Sequence, residues 1–205
     1  MKRSAPSIKA PEATRQKILN AAFLEFNRHG FQGGSLNHIV DKAGTTKGAL
    51  FHHFKDKNDL GYAVVEEVIQ PRIKANWFDP LTDSIDPITD VKRAMRQFAK
   101  EEQANGRLVQ GCPLNNLAQE MSPLDEGFRK RVEKVYAAWR ESLESAFARG
   151  VKAGKVRKTI SPRNAATFVV AALAGIIGTA KNAQSEELLK QAAEGLFDYL
   201  DSLRP

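Results

Sequence analysis

Residues 30–60 read GFQGGSLNHIVDKAGTTKGALFHHFKDKNDL, and this stretch decides how the N-terminal part of the chain folds. Ser35 precedes Leu36, Ile39, Val40 and Ala43, an apolar set spaced for one face of a short helix with serine as its N-cap. Gly44-Thr45 makes a tight turn, and a second short helix runs from Thr46 to about His53. Two short helices joined by a glycine-containing turn form a helix-turn-helix. Its first helix packs on the core with its N-terminus toward a nucleic-acid backbone, where Ser35 can cap the helix and offer a hydroxyl to a phosphate. Its second helix must approach the major groove closely, which suits the small residues Thr45, Thr46, Gly48 and Ala49, with Lys47 as the cation. Leu50 and Phe54, one turn apart, anchor that helix to the core, whereas Phe51 fits a core position or a groove contact equally well.

Outward from this stretch, almost every segment has helical period, with no strand-like alternation, repeat or low-complexity tract. A helix from Pro11 to His29 puts Ile18, Ala22 and Phe26 on one face and ends at Gly30. Residues 1–10 read as a flexible basic arm. Asp56 caps a fourth helix from Lys57 to about Phe78, bent near Pro71, and residues 81–86, LTDSID, form a loop. Asp86-Pro87 opens a fifth helix that ends near Asn105-Gly106. Gly111-Cys112-Pro113 opens a sixth that ends before Pro123. Ser122-Pro123 opens a long seventh, reaching about Gly154 with Phe128, Val132, Val135, Trp139, Leu143, Ala146 and Gly150 as its stripe. Ser161-Pro162 and Ser185-Glu186 open the eighth and ninth.

Charge is unevenly placed. Residues 1–60 carry ten Lys or Arg against five acids, a net of +5, while the other 145 residues hold 21 bases and 19 acids. A basic head on a nearly neutral body points to a polyanion partner for the head. A nucleoid-type binder would be basic along its whole length. The single cysteine, Cys112, allows no intrachain disulfide, which fits a cytoplasmic protein. The start of the chain is basic without an apolar core behind it, so no signal peptide is expected. The longest apolar run, residues 165–180, falls short of a membrane span and reads as a buried helix, with no membrane partner.

Residues 30–60 strongly resemble the N-terminal signature of the TetR family of regulators, and the match extends over about residues 12–62. The resemblance implies an all-α fold: a three-helix helix-turn-helix domain at residues 11–56, then a helical effector-binding and dimerisation domain at residues 57–205, about nine helices in all. It places Thr45, Thr46, Lys47, Gly48 and Ala49 at or beside base edges, and Phe51, His52 and His53 against the backbone or thymine methyls. Lys57 would meet a phosphate, helped by the helix dipole. The family usually has Tyr where this chain has Phe51, so a hydroxyl contact to phosphate is missing there. The His52-His53 pair is not read as a metal site, because adjacent side chains point apart and no further ligands complete a set.

The family's architecture further implies a homodimer on an inverted-repeat operator in double-stranded DNA, with protein and operator sharing a two-fold axis. Its interface is expected in the last two helices, where Ala171, Ala172, Ala174, Gly175 and Gly178 permit close approach; the alternative is that residues 165–180 are plain monomer core. A small-molecule effector is expected inside the body. Its candidate lining is Trp77, Met95, Phe98, Cys112, Asn115, Leu117, Met121, Phe128, Tyr136, Trp139 and Phe168, all of which also sit at core spacings. Cys112 falls at a helix N-terminus, which lowers a thiol pKa and would suit a thiol-reactive signal; the alternative is a small buried hydrophobe. No cofactor is expected. With no phosphate loop, metal set or nucleophile–base pair, and with all four histidines in the head, an enzyme is not expected.

Overall fold

Seven helices begin where a Ser, Thr or Asp side chain accepts the backbone N–H three residues on, so local sequence sets most of the element boundaries. The computed structural model describes residues 10–205, of which the helices are the only regular elements. The basic arm expected at residues 1–10 lies, but for Ala10, outside the described residues. We number the helices α1 (Ala10–Gly33), α2 (Leu36–Ala43), α3 (Lys47–His53), α4 (57–81), α5 (Pro87–Ala104), α6 (Pro113–Met121), α7 (Glu126–Lys152), α8 (Pro162–Ala183) and α9 (Glu186–Asp201). The all-α class and the count of nine match the sequence expectation.

The first three helices close around Ile18, Leu19, Ala22, Leu50 and Phe54, all buried. In the body, α7 runs along α8, and α8 along α9. The expected stripe of α7 is buried along its whole length. Gly30 interrupts α1 with φ 75° and ψ 169°, a backbone that favours glycine, and the chain then makes one further turn to Gly33.

Two sequence expectations are corrected. The long helix α7 does not open at Ser122-Pro123; those residues form a turn, and Asp125 is the cap, its Oδ1 accepting the Phe128 N–H at 2.7 Å. In α4, Pro71 has no N–H to give, and wider π-helical turns at Val65–Ile69 and Lys74–Phe78 flank its short α-helical segment. The second is α8, which is 22 residues long and holds an 18-residue window of mean hydropathy 1.4, enough by length and composition to cross a membrane, so the shorter apolar run understated it. Its buried side packs on α7 and α9, while Thr167, Phe168, Ala171 and Gly175 remain exposed on the other.

Candidate functional site

Helix α3 stands at the outer surface of the head. Thr46 caps it, accepting the Ala49 N–H at 3.2 Å, and Leu50 and Phe54 hold its inner side. Its outer side carries Thr46, Lys47, Gly48, Phe51 and His52, all exposed; Thr45, Ala49 and His53 are half-buried beside them. Phe51 is 48% exposed while Phe54 is 2% exposed, so Phe54 is the anchor and Phe51 belongs to the outer face. A side chain at Gly48 would meet nothing but the Thr46 hydroxyl at 3.8 Å, so nothing inside the protein demands a glycine there. Ser35 caps α2 as expected, its Oγ accepting from the His38 N–H at 3.4 Å.

Lys57 makes contacts within the protein. Its ammonium donates to the Gln32 carbonyl at 3.0 Å and lies over the Phe31 ring at 5.1 Å, and burial lowers its pKa. It rests on the end of α1.

That end of α1 is the joint between head and body. The Gly30 break frees the N–H groups of Phe31 and Gln32, and the Glu120 carboxylate of α6 accepts both, at 2.7 and 2.8 Å. Phe31 packs on Phe128 of α7 at 4.6 Å between ring centroids, and Tyr62 of α4 meets the same ring at 4.9 Å. The chains come so close here that a Cβ on Gly61 would lie 2.5 Å from Phe128 and 2.6 Å from Phe31. Asp125 accepts the Tyr62 hydroxyl and the Asn58 amide as well as capping α7, and the Phe128 N–H, followed by the Tyr62 hydroxyl, holds its pKa below the usual range.

The other end of α6 opens on a cavity of about 60 Å³ lined by Trp77, Phe98, Cys112 and Trp139. Trp77 and Phe98 also wall a second cavity of about 190 Å³, completed by Met95 and by residues of α8 and α9. Cys112 is 8% exposed, and burial pushes its thiol pKa up despite the backbone N–H groups of Asn115 and Leu114. Of the two readings of Cys112, this favours the small buried hydrophobe: desolvation outweighs the helix terminus.

The remaining candidates do not join these cavities. Phe128 is wholly buried at the head–body joint, and Phe168 is 49% exposed against Tyr199 on the outer side of α8 and α9. Leu117 and Met121 are buried core. Tyr136 stacks on Trp139 and donates to Asn115 Oδ1 at 3.3 Å, and Asn115 faces an open cleft between α1 and α6. Sequence reasoning missed Arg72 and Arg107 at the cavity, and Glu120 at the joint. No periodicity marks Glu120; its partners lie 88 and 89 residues away.

Two family models cover this architecture in order. Residues 18–64 match the bacterial regulatory proteins of the tetR family, and residues 89–196 match the tetracyclin repressor-like C-terminal domain. The chain belongs to the TetR family. TetR-family members are DNA-binding transcription regulators and not enzymes, and homodimers and ligand binding are typical of them. The chain is 29% identical over 189 residues, 91% of each chain, to an HTH-type transcriptional regulator in the lacX 3' region of Lactococcus lactis subsp. lactis. It is 26% identical over 187 residues, again 91% of each, to the HTH-type transcriptional repressor DhaR of Mycobacterium sp. strain GP1. A TetR-family regulator from Cytophaga hutchinsonii shares the fold, with a TM-score of 0.84 over 97% of this chain and 98% of that one at 20% identity.

Proposed function

We propose that this TetR-family regulator is a cytoplasmic repressor that binds an inverted-repeat operator as a homodimer and is released by a small-molecule effector held in the body. Residues 11–56 read the DNA and residues 57–205 receive the signal. The observation that carries this reading is the course of α6. It starts at Cys112, on the wall of an apolar cavity, and Glu120 near its far end grips the two backbone N–H groups where the head's first helix breaks. A ligand that shifts α6 therefore moves the head directly.

The exposed outer face of α3 supports DNA contact through Thr45, Thr46, Lys47, Gly48, Ala49, Phe51, His52 and His53, with Phe51 meeting thymine methyls in place of a phosphate. The apolar side of α8 left open at Phe168, Ala171 and Gly175, with Tyr199 of α9 beside it, supports pairing through the last two helices. Phe168→Glu should shift the protein toward monomer in sedimentation and weaken operator binding with it.

The deciding experiment is selection of bound fragments from random duplex DNA, followed by a screen for compounds that release them. Recovery of an inverted repeat bound tightly at physiological salt is the expected result. Equal affinity for random duplex would overturn the regulator reading. A thiol-reactive signal at Cys112 is tested alongside: equal release by thiol reagents in wild type and Cys112→Ser excludes that role.

A further inference from the structure

We infer that the far end of the body, at residues 152–163, is a second nucleic-acid surface that takes the phosphate backbone of a separate DNA duplex, so that a protein holding DNA with its head bridges to another. The inference goes beyond the regulator reading and does not depend on it, because it concerns cations that the head does not use.

The body's small net charge conceals a separation. Residues 145–185 hold seven Lys or Arg and no Asp or Glu, while the rest of the body carries more acids than bases. Five of the seven, Lys152, Lys155, Arg157, Lys158 and Arg163, crowd into twelve residues, and all five are exposed. Pairing sets them apart as well. Of the twelve Lys and Arg in residues 61–144, eight stand in ion pairs with carboxylates. None of the five has a side-chain ion pair or hydrogen bond among the described residues. Like charges this close repel one another, and a polyanion supplies the counter-charge that the chain itself does not.

The cations stand on a fixed backbone. Gly154, at φ 68°, ends α7 so that the Lys155 and Val156 N–H groups return to the Gly150 carbonyl at 2.9 and 3.2 Å. Val156 then enters the core, 1% exposed, and Arg157 donates its N–H to the Leu203 carbonyl at 2.9 Å. Ser161 follows as the cap of α8. A surface held in this way needs little ordering when it binds.

Position and neighbours select the partner. Along α7, about 24 residues at about 1.5 Å each separate Lys152 from the joint at Phe128, roughly 36 Å in all. A duplex on the outer face of α3 therefore leaves these cations free for a second one. Protein interfaces are built around apolar and aromatic side chains, and residues 149–163 expose no large apolar side chain. A lipid surface asks for an apolar anchor beside the cations, which the same segment lacks. Between the cations stand Ala153, Gly154, Thr159 and Ser161, small and exposed, which let a phosphate backbone approach and offer it two hydroxyls.

The intact protein is tested in two arms. In the first, Lys47→Glu/His52→Glu disables the outer face of α3, and the remaining affinity for a short random duplex is measured against salt. Binding should persist, with a slope of log affinity against log salt of up to about 4.5, at about 0.9 for each of five cations. Adding Lys152→Glu/Lys155→Glu/Lys158→Glu, all at exposed positions, should weaken that binding by at least about tenfold with the thermal melt unchanged. The neutral set Lys152→Gln/Lys155→Gln/Lys158→Gln should give a smaller loss of the same kind. In the second arm, a selected operator is fixed on beads. Wild-type protein should capture a labelled second duplex, and the three-glutamate variant should hold the operator as wild type does but capture at least about tenfold less of the second duplex. Three results would overturn the proposal: no duplex binding once α3 is disabled, remaining binding that survives the lysine changes, or lysine-dependent binding that is tighter to polyglutamate or to phosphatidylglycerol vesicles than to duplex. Failure to select any operator, with the α3-disabled protein still held to duplex through its lysines, would sink the regulator reading and keep this one. Operator selection without lysine-dependent capture would do the reverse.

Discussion

The head and the body use aromatic side chains in opposite ways. On α3, Phe51 is turned outward and 48% exposed, at a surface with small residues and cations around it. In the body, Phe128 is wholly buried and Trp77 and Trp139 stand against each other around an internal cavity. An exposed ring contributes little to stability and remains free to touch a partner; a buried ring holds elements together and shapes a cavity. The joint between the two regions is where these roles meet, since Phe31 of the head rests on Phe128 of the body.

The comparison breaks first at Phe128. Phe128→Ala should cost about 3–5 kcal/mol, as truncation of a buried aromatic does, whereas Phe51→Ala should change stability by less than about 0.5 kcal/mol while weakening DNA binding. Thermal melts and DNA affinities measured on both variants check this; similar losses of stability would show that Phe51 is also core. Next is the joint. Glu120→Gln leaves one good acceptor where two N–H groups need satisfying, and should cost about 1–2 kcal/mol. Its sharper signature is functional: DNA affinity should become less responsive to whatever effector the screen finds. An unchanged response would mean that the head is moved by another route.

Smaller effects separate the two lysines. Lys47→Ala should lower the slope of log affinity against log salt by about 0.9, the contribution of one phosphate contact. Lys57→Ala should move the slope less, because its ammonium is already bound to the Gln32 carbonyl. Equal changes in slope would show that Lys57 swings out to the DNA. The smallest expected effect is at Cys112. Burial raises its pKa, so the thiolate fraction at neutral pH falls below that of a free cysteine. Alkylation of the folded protein should therefore be slower than that of free cysteine and should become equal on unfolding. Faster alkylation would restore the activated thiol.

Much of this was legible in the linear chain because caps are local. Ser35, Thr46, Asp56, Asp86, Ser161 and Ser185 each bond a backbone N–H three residues away, so the sequence alone marks those helix starts. The same reasoning misplaced the start of α7, because Ser122-Pro123 and Asp125 are competing local signals three residues apart and only the packing of Tyr62 and Asn58 onto Asp125 chose between them. The outward face of α3 was legible from its small residues and Lys47. Which body aromatics surround a cavity was not: Trp139 and Phe128 share one buried stripe, yet Trp139 meets Trp77 and a cavity, while Phe128 meets Phe31 and Tyr62. Helical period tells which side of a helix is buried, and the sequence alone determined that much. What each buried residue is buried against depends on elements far apart in the chain, so tertiary structure alone decided the joint at Glu120, the unpaired Trp139 N–H and the burial of Cys112.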